Sequence, residues 1–148
     1  MKGPYIYRFF KIIQNLIINP DLIIPYINYN LFNQKSPVEL SIPWWSFKAI
    51  QCADKLLIDK IIYEYGCGGS TLHYAKIAKF IFCVEDNLQW KQIVENKLEN
   101  ENLHNVQIKY APFDFDHLVN FENSQYLHAF EMRQHFDVVV MDGQDKTF

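Results

Sequence analysis

The sequence predicts an α/β fold in which an open parallel sheet is flanked by helices, and three observations support this class. Apolar strand-like runs alternate with helical patterns between residues 60 and 110, which is typical of parallel sheets. A glycine-rich turn, GCGGST at 66–71, directly follows the first of these runs, as it does where such sheets hold nucleotide-like ligands. The second run ends on Glu85, nineteen residues after Gly66, where a ribose-binding carboxylate is expected.

Length and composition are those of one globular domain. The 148 residues are 49% hydrophobic and 21% charged, which excludes a disordered chain. The net charge of −3 gives no general attraction to nucleic acid. The three cysteines, Cys52, Cys67 and Cys83, lack the spacing of metal ligands, so we expect small buried thiols in a reducing, cytoplasmic compartment and no metal site.

Residues 1–42 are expected to form an extension to a domain at 43–148. Within the extension, apolar and aromatic residues between 5 and 18 recur at helical spacing, with Arg8 and Lys11 largely opposite, which predicts an amphipathic helix. Its polar residues interrupt the apolar run too often for a membrane span. Packing on the domain or on a partner, and peripheral contact with a membrane surface, both stay open.

The elements of the domain follow in order from the same periodicities. Residues 25–43 are rich in Pro, Asn and Ser and predict a connecting loop. Apolar positions from Trp44 to Leu57 predict a helix with Pro43 in its first turn, and its paired tryptophans suit either the core or a ligand cover. Further along, strands are predicted at 60–65, 80–85, 105–110 and 137–141, and helices at 70–79, at 88–99 and within 123–134.

The glycine turn does not match two common nucleotide-binding motifs. Thr71 stands where GxGxxG would need glycine or alanine, and the lysine of a phosphate loop is missing. Glu64, two residues before Gly66, would repel a pyrophosphate but suits a cationic ligand. Gly66 and Gly68 let the backbone turn tightly and let a ligand approach it, and Ser70 or Thr71 is expected to cap the next helix.

These residues resemble the motifs of class I methyltransferases that use S-adenosylmethionine. The first motif of that family is an acid, any residue, glycine, any residue and glycine, which here is EYGCG at 64–68. The resemblance continues with Glu85 at the end of the second strand and with FDVVVMDG at 136–143, which corresponds to the fourth strand and its terminal acid. It covers residues 42–145, and the ordered combination is more specific than any single motif.

The resemblance implies a Rossmann-like sheet of strand order 3-2-1-4 and methyl transfer from S-adenosylmethionine to an acceptor. The sequence does not identify this acceptor, and glycan, lipid-linked and small-molecule acceptors all stay open. Glu64 would hold the methionine end of the cofactor, Glu85 would accept the ribose hydroxyls, and Asp142 would lie near the methyl group as the catalytic candidate. Asp114 stays open between contacting adenine and standing exposed in a loop. The implied cofactor-binding residues are Glu64, Tyr65, Gly66, Cys67, Gly68, Gly69, Ser70, Thr71, Glu85, Asp86 and Asp114.

The sequence supplies four strands where the family usually has seven. We therefore expect an incomplete methyltransferase domain, a fragment truncated after the fourth strand or a chain completed by another polypeptide or by an oligomer, with that strand as an exposed edge. Two other interpretations stay open. One is a nicotinamide-dependent oxidoreductase, and the other is a non-catalytic module that binds a cofactor or serves assembly.

Overall fold

The computed structural model describes residues 3–18, 20, 23, 36–115, 119–130 and 135–141. The chain separates into two units, Met1–Ser36 and Pro37–Phe148. In the first unit, helix α1 spans Gly3–Ile18, which confirms the amphipathic helix. Across the described part of the chain, no helix has both the length and the hydropathy that a membrane crossing requires.

The second unit holds the sheet and the helices around it. Its helices are α2 Pro37–Leu40, α3 Phe47–Leu57, α4 Gly69–Tyr74 and α5 Leu88–Asn100, and its strands are β1 Ile61–Tyr65, β2 Phe80–Glu85, β3 Val106–Tyr110 and β4 Val138–Met141. A short 3-10 helix spans Phe121–Asn123. Every strand starts at the predicted residue or one residue after it.

The sheet has the order β3-β2-β1-β4, and all its pairs are parallel. This confirms the predicted Rossmann-like α/β class. Asp137 fixes β4 against β1, because its carboxylate accepts a hydrogen bond from the Ile61 N–H at 2.8 Å and its own N–H donates to the Ile61 carbonyl at 2.9 Å. Because all the strands are parallel, their carboxyl ends lie at one edge of the sheet, where such folds bind ligands.

The two faces of the sheet are covered in different ways. Ile62, Ile81 and Cys83 are buried against apolar residues of the helices. The opposite face carries an aromatic cluster, in which Tyr63 stacks on Phe136 with ring centroids 5.0 Å apart. The other aromatic members of this cluster are Tyr65 and Phe82 on the strands, and Phe113, Phe121, Tyr126 and Phe130 in the segment between β3 and β4.

The helix predicted within 123–134 is wrong for the residues that can be described. Residues 125–130 form turns and bends, and 131–134 lie outside the described residues. The aromatic side chains explain the difference, because rings from Phe113, Tyr126 and Phe130 fill the space over the sheet without needing helical spacing. Edge-to-face contacts of this kind, such as Phe82 with Phe130 at 5.2 Å, add to the burial itself.

The entry into the domain also differs from the prediction. Residues 37–40 form α2 inside the expected loop, and α3 begins at Phe47 because the Ser46 side chain accepts a hydrogen bond from the Ala49 N–H at 3.3 Å. Ser46, and not Pro43, therefore sets the start of this helix. Of the paired tryptophans, Trp44 is 73% exposed, whereas Trp45 packs on Tyr74 with ring centroids 5.9 Å apart.

The prediction of three buried thiols holds for two of them. Cys67 and Cys83 are buried, but Cys52 is exposed. Cys52 lies on the outer side of α3, whose buried residues are Ile50 and Leu57. A helix that packs along one stripe leaves the other side in solvent, so the identity of the residue did not decide its burial.

Glu101 joins the entry segment, defined as residues 37–46, to Lys76 in the turn after α4 and to Lys97 on α5. Its carboxylate accepts a hydrogen bond from the Ser41 hydroxyl at 2.6 Å and lies 2.9 Å from the Lys76 ammonium and 3.4 Å from that of Lys97. The Ser41 hydroxyl first, and then the Lys76 ammonium, lower the pKa of Glu101 from its ordinary value to about 2. A carboxyl whose pKa falls on folding stabilises the folded state once it is ionised.

We expect Glu101→Gln to lower the free energy of unfolding at neutral pH by about 1 kcal/mol, the scale of a partly exposed ion-pair network. The pKa falls on folding, so the stabilisation is complete above the unfolded value of about 4.3. It disappears as the pH drops toward the folded value of about 2. Urea titrations of both proteins at neutral pH and near pH 2 measure this difference, with Glu99→Gln, an exposed glutamate on α5, as control. Equal losses in the two variants, or a loss independent of pH, would contradict the assignment.

Candidate cofactor site

The glycine loop at 66–68 leaves β1 at the carboxyl edge of the sheet. Gly66 has a φ of 81°, a left-handed conformation that side chains rarely tolerate. Its N–H donates to the Val84 carbonyl at 2.8 Å, and its carbonyl accepts from the Cys83 thiol at 3.3 Å. The loop is therefore anchored to β2 as soon as β1 ends.

Glu64, on β1, fixes the glycine loop indirectly, through the hydroxyl group of Thr71. The Glu64 side chain is 1% exposed, and its Oε2 accepts a hydrogen bond from the Thr71 hydroxyl at 2.7 Å. The same hydroxyl oxygen accepts from the Gly68 N–H at 2.9 Å. Thr71 stands at the third position of α4 and satisfies the N–H of the residue before the helix, which is one half of a capping box. The prediction that Ser70 or Thr71 caps this helix is wrong in position, because the helix begins at Gly69 with Gly68 as its N-cap residue; Thr71 and Ser70 are both buried inside its first turn.

Glu85 holds the loop from β2. Its Oε2 accepts from the Cys67 N–H and its Oε1 from the Asn87 N–H, both at 2.9 Å. Burial raises the pKa of Glu85, the two backbone N–H groups oppose that rise, and the neighbouring Asp86 carboxyl adds to it. The register pairs Glu64 with Cys83, and side chains alternate along a strand, so Glu64 and Glu85 lie on the same face of the sheet.

Gly68 and Gly69 differ sharply in the space around them. A Cβ added at Gly68 would meet no other atom within 4 Å. A Cβ added at Gly69 would lie 2.0 Å from the Ile42 carbonyl oxygen and 2.8 Å from that of Pro37. Gly68 therefore leaves room beside the loop, whereas Gly69 is required by the contact with the entry segment.

Two aromatic residues at the site had not been predicted. The Trp90 indole N–H donates to the Cys67 carbonyl at 2.6 Å, so α5 also fixes the loop. Tyr126 is buried beside Tyr65, with ring centroids 5.7 Å apart. Burial, followed by the negative charges of Asp86 and Glu85, raises the pKa of Tyr126. A half-buried indole N–H needs a partner, but no spacing in the sequence identifies that partner.

The other predicted residues are distributed as follows. Tyr65 ends β1, and its hydroxyl donates to the Leu127 carbonyl at 3.2 Å. Asp86 is half-buried in the turn that follows Glu85. Asp114 is exposed in the segment after β3, and Asp142 lies outside the described residues. The structure thus brings residues 64–71 together with Glu85 and Asp86 at one edge of the sheet.

The strand order and the position of the glycine loop define a Rossmann-like domain with its candidate site at the carboxyl edge of β1 and β2. No protein-family model and no curated protein matches this chain. Solved structures do match it. A dimethyladenosine transferase from Plasmodium falciparum is 18% identical, with 66% of this chain and 30% of that chain covered and a TM-score of 0.45.

Two further matches are methyltransferases. Precorrin-6y C5,15-methyltransferase from Geobacter metallireducens is 17% identical, with 68% of this chain and 48% of that chain covered and a TM-score of 0.44. Coclaurine N-methyltransferase, bound to N-methylheliamine and SAH, is 19% identical, with 76% of this chain and 30% of that chain covered and a TM-score of 0.45. The chain spans less than half of each protein, and the likeness is one of fold.

Proposed function

We propose that this domain binds S-adenosylmethionine and serves methyl transfer to a small-molecule or glycan acceptor. The observation that supports the proposal is that two buried acids fix one glycine loop through hydrogen bonds. Glu64 holds Gly68 through Thr71, and Glu85 holds Cys67 directly. Both acids stand at the carboxyl ends of adjacent parallel strands, the place where open α/β sheets bind ligands.

The charge around the loop favours a cationic ligand. Glu64, Glu85 and Asp86 all lie at this edge of the sheet, so their negative charges suit an ammonium or sulfonium group. The same charges disfavour a pyrophosphate, which argues against the nicotinamide-dependent alternative. The room beside Gly68 fits a ligand that approaches the backbone, with Glu64 beneath its methionine end and Glu85 and Asp86 toward its ribose.

Glu85 can take a ribose hydroxyl without releasing the loop. Each of its carboxylate oxygens accepts one backbone N–H, and a carboxylate oxygen has two acceptor sites. Glu85 would then fix the loop and the ribose together. One carboxylate at the end of β2 would therefore serve both contacts.

Bound S-adenosylmethionine would supply an activated methyl group, which is the hard part of the chemistry. The chain would contribute alignment of donor and acceptor, which in favourable cases lowers a barrier by about 7 to 11 kcal/mol. Asp142 follows in sequence directly after Met141, the last residue of β4, which pairs with Tyr65 in the sheet. We propose Asp142 as the general base for an alcohol acceptor.

Calorimetric titration with S-adenosylmethionine and with NAD tests the proposal. We expect binding of S-adenosylmethionine only, weakened at least about tenfold in Gly68→Ala, because the added methyl group would occupy the room for the ligand. Glu85→Ala should weaken it by about ten- to a hundredfold through the lost charged acceptor. Glu122→Ala, at an exposed position, is the control. A folded wild-type protein that does not bind S-adenosylmethionine would refute the proposal. So would Gly68→Ala and Glu85→Ala variants that both bind it as tightly as the wild type does.

A further inference from the structure

Helix α1 presents an unusually apolar surface to solvent. Two of its phenylalanines, Phe9 and Phe10, are 61% and 64% exposed. Exposed aliphatic residues accompany them on the same helix, and these are Ile6, Ile13, Ile17 and Ile18. Contiguous apolar surface of this kind marks a binding face more often than a solvated one.

The apolar residues form one stripe along the helix. Their spacing of three and four positions places them on a single face, and the stripe consists of Ile6, Phe9, Phe10, Ile13, Leu16 and Ile17. Lys11 lies outside the stripe, with its ammonium 5.3 Å from the centre of the Tyr7 ring. Lysine and tyrosine side chains beside an apolar stripe are common where a helix meets a membrane interface.

Charge is segregated between this helix and the rest of the chain. Residues 1–20 contain Lys2, Arg8 and Lys11 and no acid, which gives a net charge of +3. The whole chain carries −3, so the remaining residues carry −6. A basic helix attached to an acidic domain is attracted to an anionic surface through the helix alone.

We propose that α1 is an interfacial helix that lies on an anionic lipid surface and holds the chain there. The apolar stripe would enter the boundary between headgroups and acyl chains, and Lys11 would face the lipid phosphates. The 16 residues of α1 extend over about 24 Å, less than the hydrocarbon core of about 30 Å, so α1 would lie along the surface. The absence of acids from residues 1–20 favours an anionic lipid surface over a protein partner, which would not require charge of one sign.

Vesicle co-sedimentation of the full chain tests this proposal. We expect binding to vesicles made of equal parts phosphatidylcholine and phosphatidylserine, and little binding to phosphatidylcholine alone. Phe10→Glu should weaken binding more than about tenfold by removing an apolar anchor, and Lys11→Glu at least about fivefold by removing one cationic contact. Leu56→Glu is the matched control, because Leu56 is 67% exposed on α3 and should leave binding unchanged.

Three outcomes would overturn the proposal. Vesicle binding that Phe10→Glu does not weaken would show that α1 is not the contact. Equal binding to neutral vesicles, unaffected by Lys11→Glu, would show that charge plays no part. A wild-type chain that stays in solution with both kinds of vesicle but self-associates in sedimentation velocity would assign the stripe to a second copy. Thermal unfolding of each variant shows whether the second unit remains folded.

Discussion

Replacing Gly69 with alanine is expected to cost about 3 kcal/mol or more of folding stability, although alanine is the better helix former. The added methyl group would lie 2.0 Å from the Ile42 carbonyl oxygen and 2.8 Å from that of Pro37. Both are backbone atoms, and a hydrogen bond from the Ile42 N–H to the Pro37 carbonyl at 3.1 Å ties them together. Neither can move aside as a flexible side chain would, so the entry segment must separate from α4.

Chemical denaturation of Gly69→Ala and Gly68→Ala measures this effect. Gly68 is the matched control, because its added methyl group meets no atom within 4 Å and should cost less than about 1 kcal/mol. The two neighbouring substitutions are chemically identical, so composition and denatured-state effects are shared. Similar stability of the two variants would show that the close contact at Gly69 does not exist in the folded protein.

Thr71→Val is expected to destabilise the domain by about 2 to 3 kcal/mol, the cost of leaving buried polar groups without their hydrogen bonds. Thr71 is fully buried, and its hydroxyl is the link between Glu64 and the Gly68 N–H. Valine keeps the shape of the side chain and removes only this link. Because the loop would lose one of its two acidic anchors, binding of S-adenosylmethionine should weaken in the same variant.

Thr71→Ser distinguishes the contribution of the Thr71 hydroxyl to stability from that of its methyl group. Serine keeps the hydrogen bonds and loses one buried methyl group, so we expect a loss of only about 1 kcal/mol. Urea unfolding of the two variants gives the comparison. If serine proved as damaging as valine, packing and not the hydrogen-bond link would be the role of Thr71.

Elements of regular period could be predicted from the sequence. The four strands have apolar runs long enough to mark them, and alternation with helices is sufficient to infer a parallel sheet. The segment between β3 and β4 could not be predicted, since Phe113, Tyr126 and Phe130 cover the sheet from positions outside any helix or strand. The start of α3 was misplaced because Pro43 and Ser46 both suit a helix start, and only the hydrogen bond to Ala49 distinguishes them.

The parts of the candidate site formed by residues close together in the sequence could be predicted. The parts contributed by distant segments could not. Glu64, Gly66 and Gly68 lie within five consecutive residues, so their spacing carries the information. The partners of the loop come from elsewhere: Trp90 from α5, and Ile42 from a segment that was expected to be a linker. Gly69 shows the consequence, because its neighbours in sequence suggest a ligand while its neighbours in space demand the absence of a side chain.

The pairing of β4 with β1 sets an order of assembly for the nascent polypeptide. Ile61 and Asp137 are 76 positions apart, whereas β2 follows β1 after one short helix. Each doubling of the length of a closed loop adds about 0.6 kcal/mol of entropic cost. Long-range contacts of this kind also slow folding. During translation, β1 therefore leaves the ribosome well before its partner β4, and the β1–β4 pairing is the last of the three strand pairings that the chain can complete.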